Sequence, residues 1–160
     1  MSEPQQYRMR GNRVYPMASN QIEHRAIGFC AALNINKRIK RFDSFFESLV
    51  LYNITLSVVD DEQWATDTHN LTSGHFDPDT MTISVPRRVY ELACCRDQSA
   101  LSVMFHELGH LLLGHKPMLH FSNKPPEQDE DSEWQADQFA EYVLLQLGFN
   151  VQQLSFDFYQ

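Results

Sequence analysis

The sequence predicts an α+β domain, and three observations carry that prediction. Helical periodicity comes first along the chain, period-two alternation follows, and helical periodicity then returns, so helices and strands are segregated rather than interleaved. The strand region holds a hairpin signal, which makes the expected sheet small and mostly antiparallel. A length of 160 residues, 42% of them apolar and 21% charged, suits one folded domain with a real core and argues against wholesale disorder.

Residues 1–18 lack periodicity and contain Pro4, Gly11 and Pro16, so they read as a flexible N-terminal tail. The domain is expected over 19–150, with a C-terminal tail at 151–160. A first helix should begin near Asn20. Asn20 and Glu23 have capping-box spacing, and Ile22, Ala26, Phe29 and Leu33 repeat at helical intervals. Ile35, Ile39, Phe42, Phe46 and Leu49 form one apolar stripe and predict a second helix, with Lys37, Arg38, Lys40 and Arg41 on its wet face. Ile54, Leu56 and Val58 alternate with polar neighbours as in a strand. Leu71–Phe76 and Met81–Val85 flank Asp77-Pro78-Asp79-Thr80, a turn in which Pro presets φ and the Asp side chains bond nearby backbone. A helical or irregular connector follows at Arg87–Cys95. A helix is then expected from Asp97 or Ser99 to about Leu113, stopped by Gly114. Residues 116–131 read as a loop whose acidic run, Glu127–Asp131, is solvated. Ser132 and Gln135 have the spacing of a capping box for a last helix, Ser132 to Leu147, closed by Gly148.

Charge and cysteine usage narrow the function. The net charge of −8 argues against DNA as the main partner, although residues 1–50 carry eight Lys/Arg against four Asp/Glu. Three cysteines, two of them adjacent, make no disulfide framework and fit a reducing compartment. With no apolar run near the roughly 18 residues of a membrane span and no secretory apolar region, a cytoplasmic protein is expected.

One motif dominates. His106-Glu107-Leu108-Gly109-His110 is H-E-x-x-H inside a predicted helix, where i, i+4 spacing sets both imidazoles on one face, able to chelate one Zn²⁺. Composition alone would produce this pattern roughly 0.02 times in such a chain. Glu107 lies about 100° around the helix, placed to reach a metal-bound water as a base. A third protein ligand is still needed, and the residues after His110 exclude an H-x-x-G-x-x-H arrangement. A carboxylate from a second helix is expected instead. Glu133 is the candidate, with Asp137 one turn on to orient His106 or His110. Ala136 and Ala140 are small enough for close helix approach. His75, Tyr90, His115 and His120 are candidates for stabilising an oxyanion.

His-Glu-Leu-Gly-His-Leu-Leu-Leu at 106–113, followed by Glu-Trp-Gln-Ala-Asp-Gln-Phe-Ala at 133–140, resembles the ImmA/IrrE-type metallopeptidases, gluzincin-like zinc proteins of bacteria and their mobile elements. The resemblance implies a compact zincin-like domain with N-terminal helices, a small sheet and an active-site helix pair. It implies His106, His110 and Glu133 as zinc ligands, Glu107 as catalytic base, and a job in transcription regulation: cutting a DNA-binding repressor or antitoxin. Gln135 departs from the family pattern, which often has Glu there, and is not expected to touch the metal. Three functions are weighed: a zinc endopeptidase, a non-cleaving module that sequesters a regulator, and a DNA-binding factor. An intact Glu107 favours the first, since a pure binding module needs no base beside its ligands.

Overall fold

The computed structural model describes residues 6–115 and 123–151. Its elements run α1 (Ser19–Ala32), α2 (Asp43–Ser48), β1 (Thr55–Val59), α3 (Asp61–Thr68), β2 (His75–Asp77), β3 (Thr82–Pro86), α4 (Arg87–Cys94), α5 (Gln98–Leu112) and α6 (Ser132–Gln146). The class is α+β, with six helices and one three-stranded sheet among the described residues.

The core follows from apolar spacing. Ile22, Ala26 and Cys30 step by four along α1 and are buried against α6, whose Phe139, Ala140, Val143 and Leu144 are buried in turn. α6 packs along α5 as well, and the two approach closely where Phe139 covers Gly109. Phe29, Phe42, Phe45, Phe46, Phe105 and Phe139 form a cluster with centroid separations of 5.4 to 6.5 Å. Each fully buried ring contributes about 1.5–3 kcal/mol from its area alone.

The sheet differs from expectation. Its order is β1-β3-β2, with β2 antiparallel to β3 but β1 parallel to β3 over five residue pairs, so the sheet is mixed rather than mostly antiparallel. The reason is α3, which the sequence reading lacks. A parallel pair needs a crossover connection, and α3 with the following loop provides it. Trp64 anchors the crossover: it is buried, and its indole N–H donates to the Thr72 carbonyl at 2.9 Å. The hairpin forms around the Asp77–Thr80 turn, but its first strand is only His75–Asp77 rather than Leu71–Phe76, and its second runs Thr82–Pro86.

The second helix is shorter than its stripe. Residues 33–42 are irregular, and α2 spans only Asp43–Ser48 before a 3-10 turn at Leu49–Tyr52. Asn34 is left-handed at φ 56°, and the Asn36 side chain accepts from the Arg38 N–H, a local bond that competes with helix. Ile35, Phe42, Phe46 and Leu49 are nonetheless buried, so the stripe marks burial rather than helix. The basic cluster accordingly lies on irregular chain, not on a helix face, and Arg41 pairs with Asp43 at 2.9 Å. α1 also starts one residue early, where the Ala18 N–H donates to the Gln21 side chain in place of an Asn20–Glu23 box.

Residues 6–18 are not a loose tail. They form an arm bound along the start of α6. The N–H groups of Arg10 and Gly11 and the Tyr7 hydroxyl all donate to the Asp131 carboxylate. Asn12 exchanges bonds with Ser132, and Val14 N–H donates to Glu130 O at 2.8 Å. Asp131, fully buried, is also the N-cap of α6, so the expected Ser132–Gln135 box does not form. The acidic run is thus partly structural: Glu130 pairs with Arg13 at 2.6 Å. Cys30 and Cys94 are buried and Cys95 is exposed, all three free. Val151 is buried, whereas the rest of the C-terminal tail and His120 lie outside the described residues. Among those residues no helix is long and apolar enough to cross a membrane.

Candidate metal centre

α5 presents His106 and His110 one turn apart, with their Nε2 atoms 3.1 Å from each other. The first turn of α6 brings Glu133 to them. Its Oε2 lies 2.7 Å from His106 Nε2 and 3.5 Å from His110 Nε2. One donor atom from each residue falls within 4.8 Å of the others. A tetrahedral ion with bonds of roughly 2.0–2.2 Å sets its donors about 3.2–3.6 Å apart. The three separations of 2.7, 3.1 and 3.5 Å converge on one such position, and the Glu133–His106 pair must open by about half an ångström to hold an ion.

The chemistry of the donors points the same way. His106 Nδ1 is 2.7 Å from Asp137 Oδ1 and donates to it, which leaves a lone pair on Nε2 facing the Glu133 carboxylate. Two acceptors at that distance need a cation between them, either a proton or a metal. With a proton there, burial pulls His106 down, but bonds to Asp137 and Glu133 and the nearby Glu107 charge prevail and raise it to about 10. Burial works against the Glu133 carboxylate too, yet the two imidazoles hold it well below its ordinary range. Asp137 thus orients His106, not His110, and Arg10 of the N-terminal arm closes on its other oxygen at 2.9 Å.

His110 is held by a different partner. Its Nδ1 is 2.9 Å from Nδ1 of His115, and His115 Nε2 is 2.7 Å from Oε1 of Gln135. Gln135 donates to the carbonyls of Tyr15 and Asp129. His115 therefore backs His110 rather than facing it across the cleft, and burial beside His110 pulls it down to about 4. From sequence His115 is one of four oxyanion candidates, and Gln135 has only a capping place at the start of α6. The available signal was Gly114: a left-handed stop right after α5 folds the next residue back on the last turn.

Glu107 is only 7% exposed and stands outside the donor group, on the wall of a cleft of about 430 Å³ that also takes in His106, His110, His115 and Glu133. Burial pushes its carboxyl above the usual range. Gly74, His75 and Phe76 form one side of that cleft, and Gly11, Asn12 and Val14 of the arm form another. Tyr90 does not line it; its ring stacks at a tilt on Phe46, 5.8 Å away. Of the oxyanion candidates in the described residues, His75 alone reaches the cleft without a structural partner inside it. Arg10, Gly11 and Asp131 went unread because their role depends on an arm more than 115 residues away in sequence from the helix it braces.

The family model of the M78 peptidases, described as the IrrE N-terminal-like domain, matches residues 53–148, from just before β1 to just past α6. No curated protein and no solved structure matches the chain. The matched span contains every donor of the site and leaves out the arm and α1. On that match the chain belongs to the IrrE N-terminal-like domain family of M78 peptidases.

Proposed function

We propose that this chain is a zinc-dependent endopeptidase, and that its substrate is a regulatory protein of the repressor or antitoxin type in a bacterial or phage-infected cytoplasm. The observation that carries the enzymatic reading is Glu107. It is a buried carboxylate in the same cleft as His106, His110 and Glu133, yet it is not one of the converging donors. Zinc held there by His106, His110 and Glu133 supplies Lewis acidity toward a water and a peptide carbonyl.

The remaining steps belong to the chain. Glu107 takes the water's proton and returns it to the leaving amine, a shuttle worth about 10²- to 10⁴-fold in rate. Its raised pKa suits both halves of that exchange. His75, on the facing wall, donates to the developing oxyanion. β3 is the central strand of the described sheet, and β2 is an edge strand whose His75 and Phe76 line the cleft. An extended peptide adds there as a further strand, bound through its backbone.

The test is Glu107→Gln. The variant should keep its zinc and lose cleavage of a co-expressed partner, and used as a trap it should retain that partner through purification. Equal processing by wild type and variant ends the protease reading. Retention of an intact partner by both supports sequestration instead.

A further inference from the structure

His115 sits where the chain reverses after α5. Gly114 adopts φ +66°, and His115 N–H donates to the His110 carbonyl at 3.0 Å. This helix-ending bond brings the two imidazoles into an edge contact, centroids 5.1 Å apart, with Nδ1 facing Nδ1 at 2.9 Å.

The direction of each hydrogen bond is set from the far end. The Gln135 amide nitrogen spends its hydrogens on the Tyr15 and Asp129 carbonyls, at 2.9 and 2.7 Å. Its Oε1 must then accept, so the His115 nitrogen 2.7 Å away, Nε2, carries a hydrogen. Nδ1 of His115 is left as a lone pair. Among the described residues the donor within its reach is Nδ1 of His110. A hydrogen on His110 Nδ1 leaves Nε2 bare, and that is the atom that faces Glu133 and His106. Two backbone carbonyls, which can only accept, therefore dictate the tautomer of a histidine three bonds along the chain.

We propose that His115 and Gln135 are positioning residues of the metal centre, a one-way hydrogen-bonded chain that keeps His110 in the Nδ1–H form with Nε2 aimed at the ion. This rests on the metal-site reading above. It makes the two ligand histidines unequal. His106 is steered by a carboxylate, Asp137, and His110 by a neutral ring. One of the two anchors, the Tyr15 carbonyl, belongs to the N-terminal arm, so a segment outside the matched family span helps set a ligand's tautomer.

The experiment uses the full chain, stripped of metal and titrated with zinc against a chromophoric chelator, together with long-range ¹H–¹⁵N spectra of the imidazoles in the zinc-loaded wild type. The spectra should show His110 protonated at Nδ1 and His115 protonated at Nε2. His115→Phe, which keeps the ring and removes the acceptor, should lower zinc affinity by about 10- to 100-fold. His115→Asn places Oδ1 where Nδ1 was and should recover part of that loss. His110 ligating through Nδ1, His115 protonated at Nδ1, or wild-type affinity in His115→Phe overturns the proposal. Should His115→Phe fail to fold, the wild-type spectra decide. If Glu133→Ala loses zinc while His115→Phe keeps it, only the positioning role falls. If the wild type takes up no zinc, the metal-site reading falls and this one with it.

Discussion

A Cβ at Gly11 would lie 2.6 Å from Cγ of Glu133 and 2.5 Å from Oγ of Ser132. The N-terminal arm therefore touches Glu133, the third residue of the candidate donor group, with a residue that has no side chain, and any other residue there must move the Glu133 and Ser132 side chains or the arm. Gly11→Ala is expected to destabilise the protein by about 1–3 kcal/mol, the usual cost of overpacking, and to weaken zinc uptake. Chelator competition on the purified variant checks it. Unaltered zinc affinity would show that the arm yields and Glu133 stays.

Asp137 holds His106 through one oxygen and Arg10 through the other. Asp137→Asn keeps an oxygen for His106 but removes the charge, and should reduce zinc affinity by about 10- to 100-fold. Arg10→Gln should do much less, because the Arg10 side chain is 50% exposed and such pairs contribute about 0–1 kcal/mol. Affinities of the two variants measured side by side test the ranking, and equal losses would contradict it.

Asp131 collects the Tyr7 hydroxyl and the N–H groups of Arg10, Gly11 and Glu133. Burial opposes its ionisation, but those donors hold its carboxyl below the ordinary 3.8. A group depressed on folding stabilises above its unfolded pKa, and the contribution is lost as pH falls through the lower folded value. Asp131→Ala should therefore cost stability at neutral pH, by about 1–3 kcal/mol for each buried donor left bare. The gap from wild type should narrow below about pH 4. Urea unfolding of the metal-free proteins at several pH values gives the profile, and a gap that does not depend on pH would remove Asp131 as the anchor.

If the folded chain alone binds zinc, as proposed, zinc should raise its stability. At about 100 times the dissociation constant the gain is about 2.7 kcal/mol, equivalent to roughly 5–10 °C in a domain of this size. Glu133→Ala should blunt most of that shift, and it should also lower the metal-free Tm, because His106 loses the carboxylate that pairs with its proton at 2.7 Å. A full zinc shift in Glu133→Ala would take it out of the donor set.

Which features were legible in sequence follows from how far each interaction reaches. The imidazole pair of His106 and His110 is set by helical geometry within one turn, so spacing alone placed both on one face. Glu133 and Asp137 were legible for the same reason within α6, one turn apart on the face that meets His106. Apolar spacing located four buried side chains and the partly buried Ile39 over 35–49 even where the backbone is not helical, because burial is read by the pattern and backbone dihedrals are decided by local competitors such as Asn36.

Tertiary structure alone decided what depends on contacts between distant segments. The parallel pairing of β1 with β3 came from the course of the chain through α3, which no local alternation encodes. The arm at residues 6–18 is ordered by one buried carboxylate, Asp131, more than 115 residues away. Likewise the polarity of the His110–His115–Gln135 chain comes from two carbonyls on two different segments. Periodicity reports which side of an element is apolar. Hydrogen-bond direction and ligand tautomer depend on which backbone groups arrive from elsewhere, and only the assembled fold brings them.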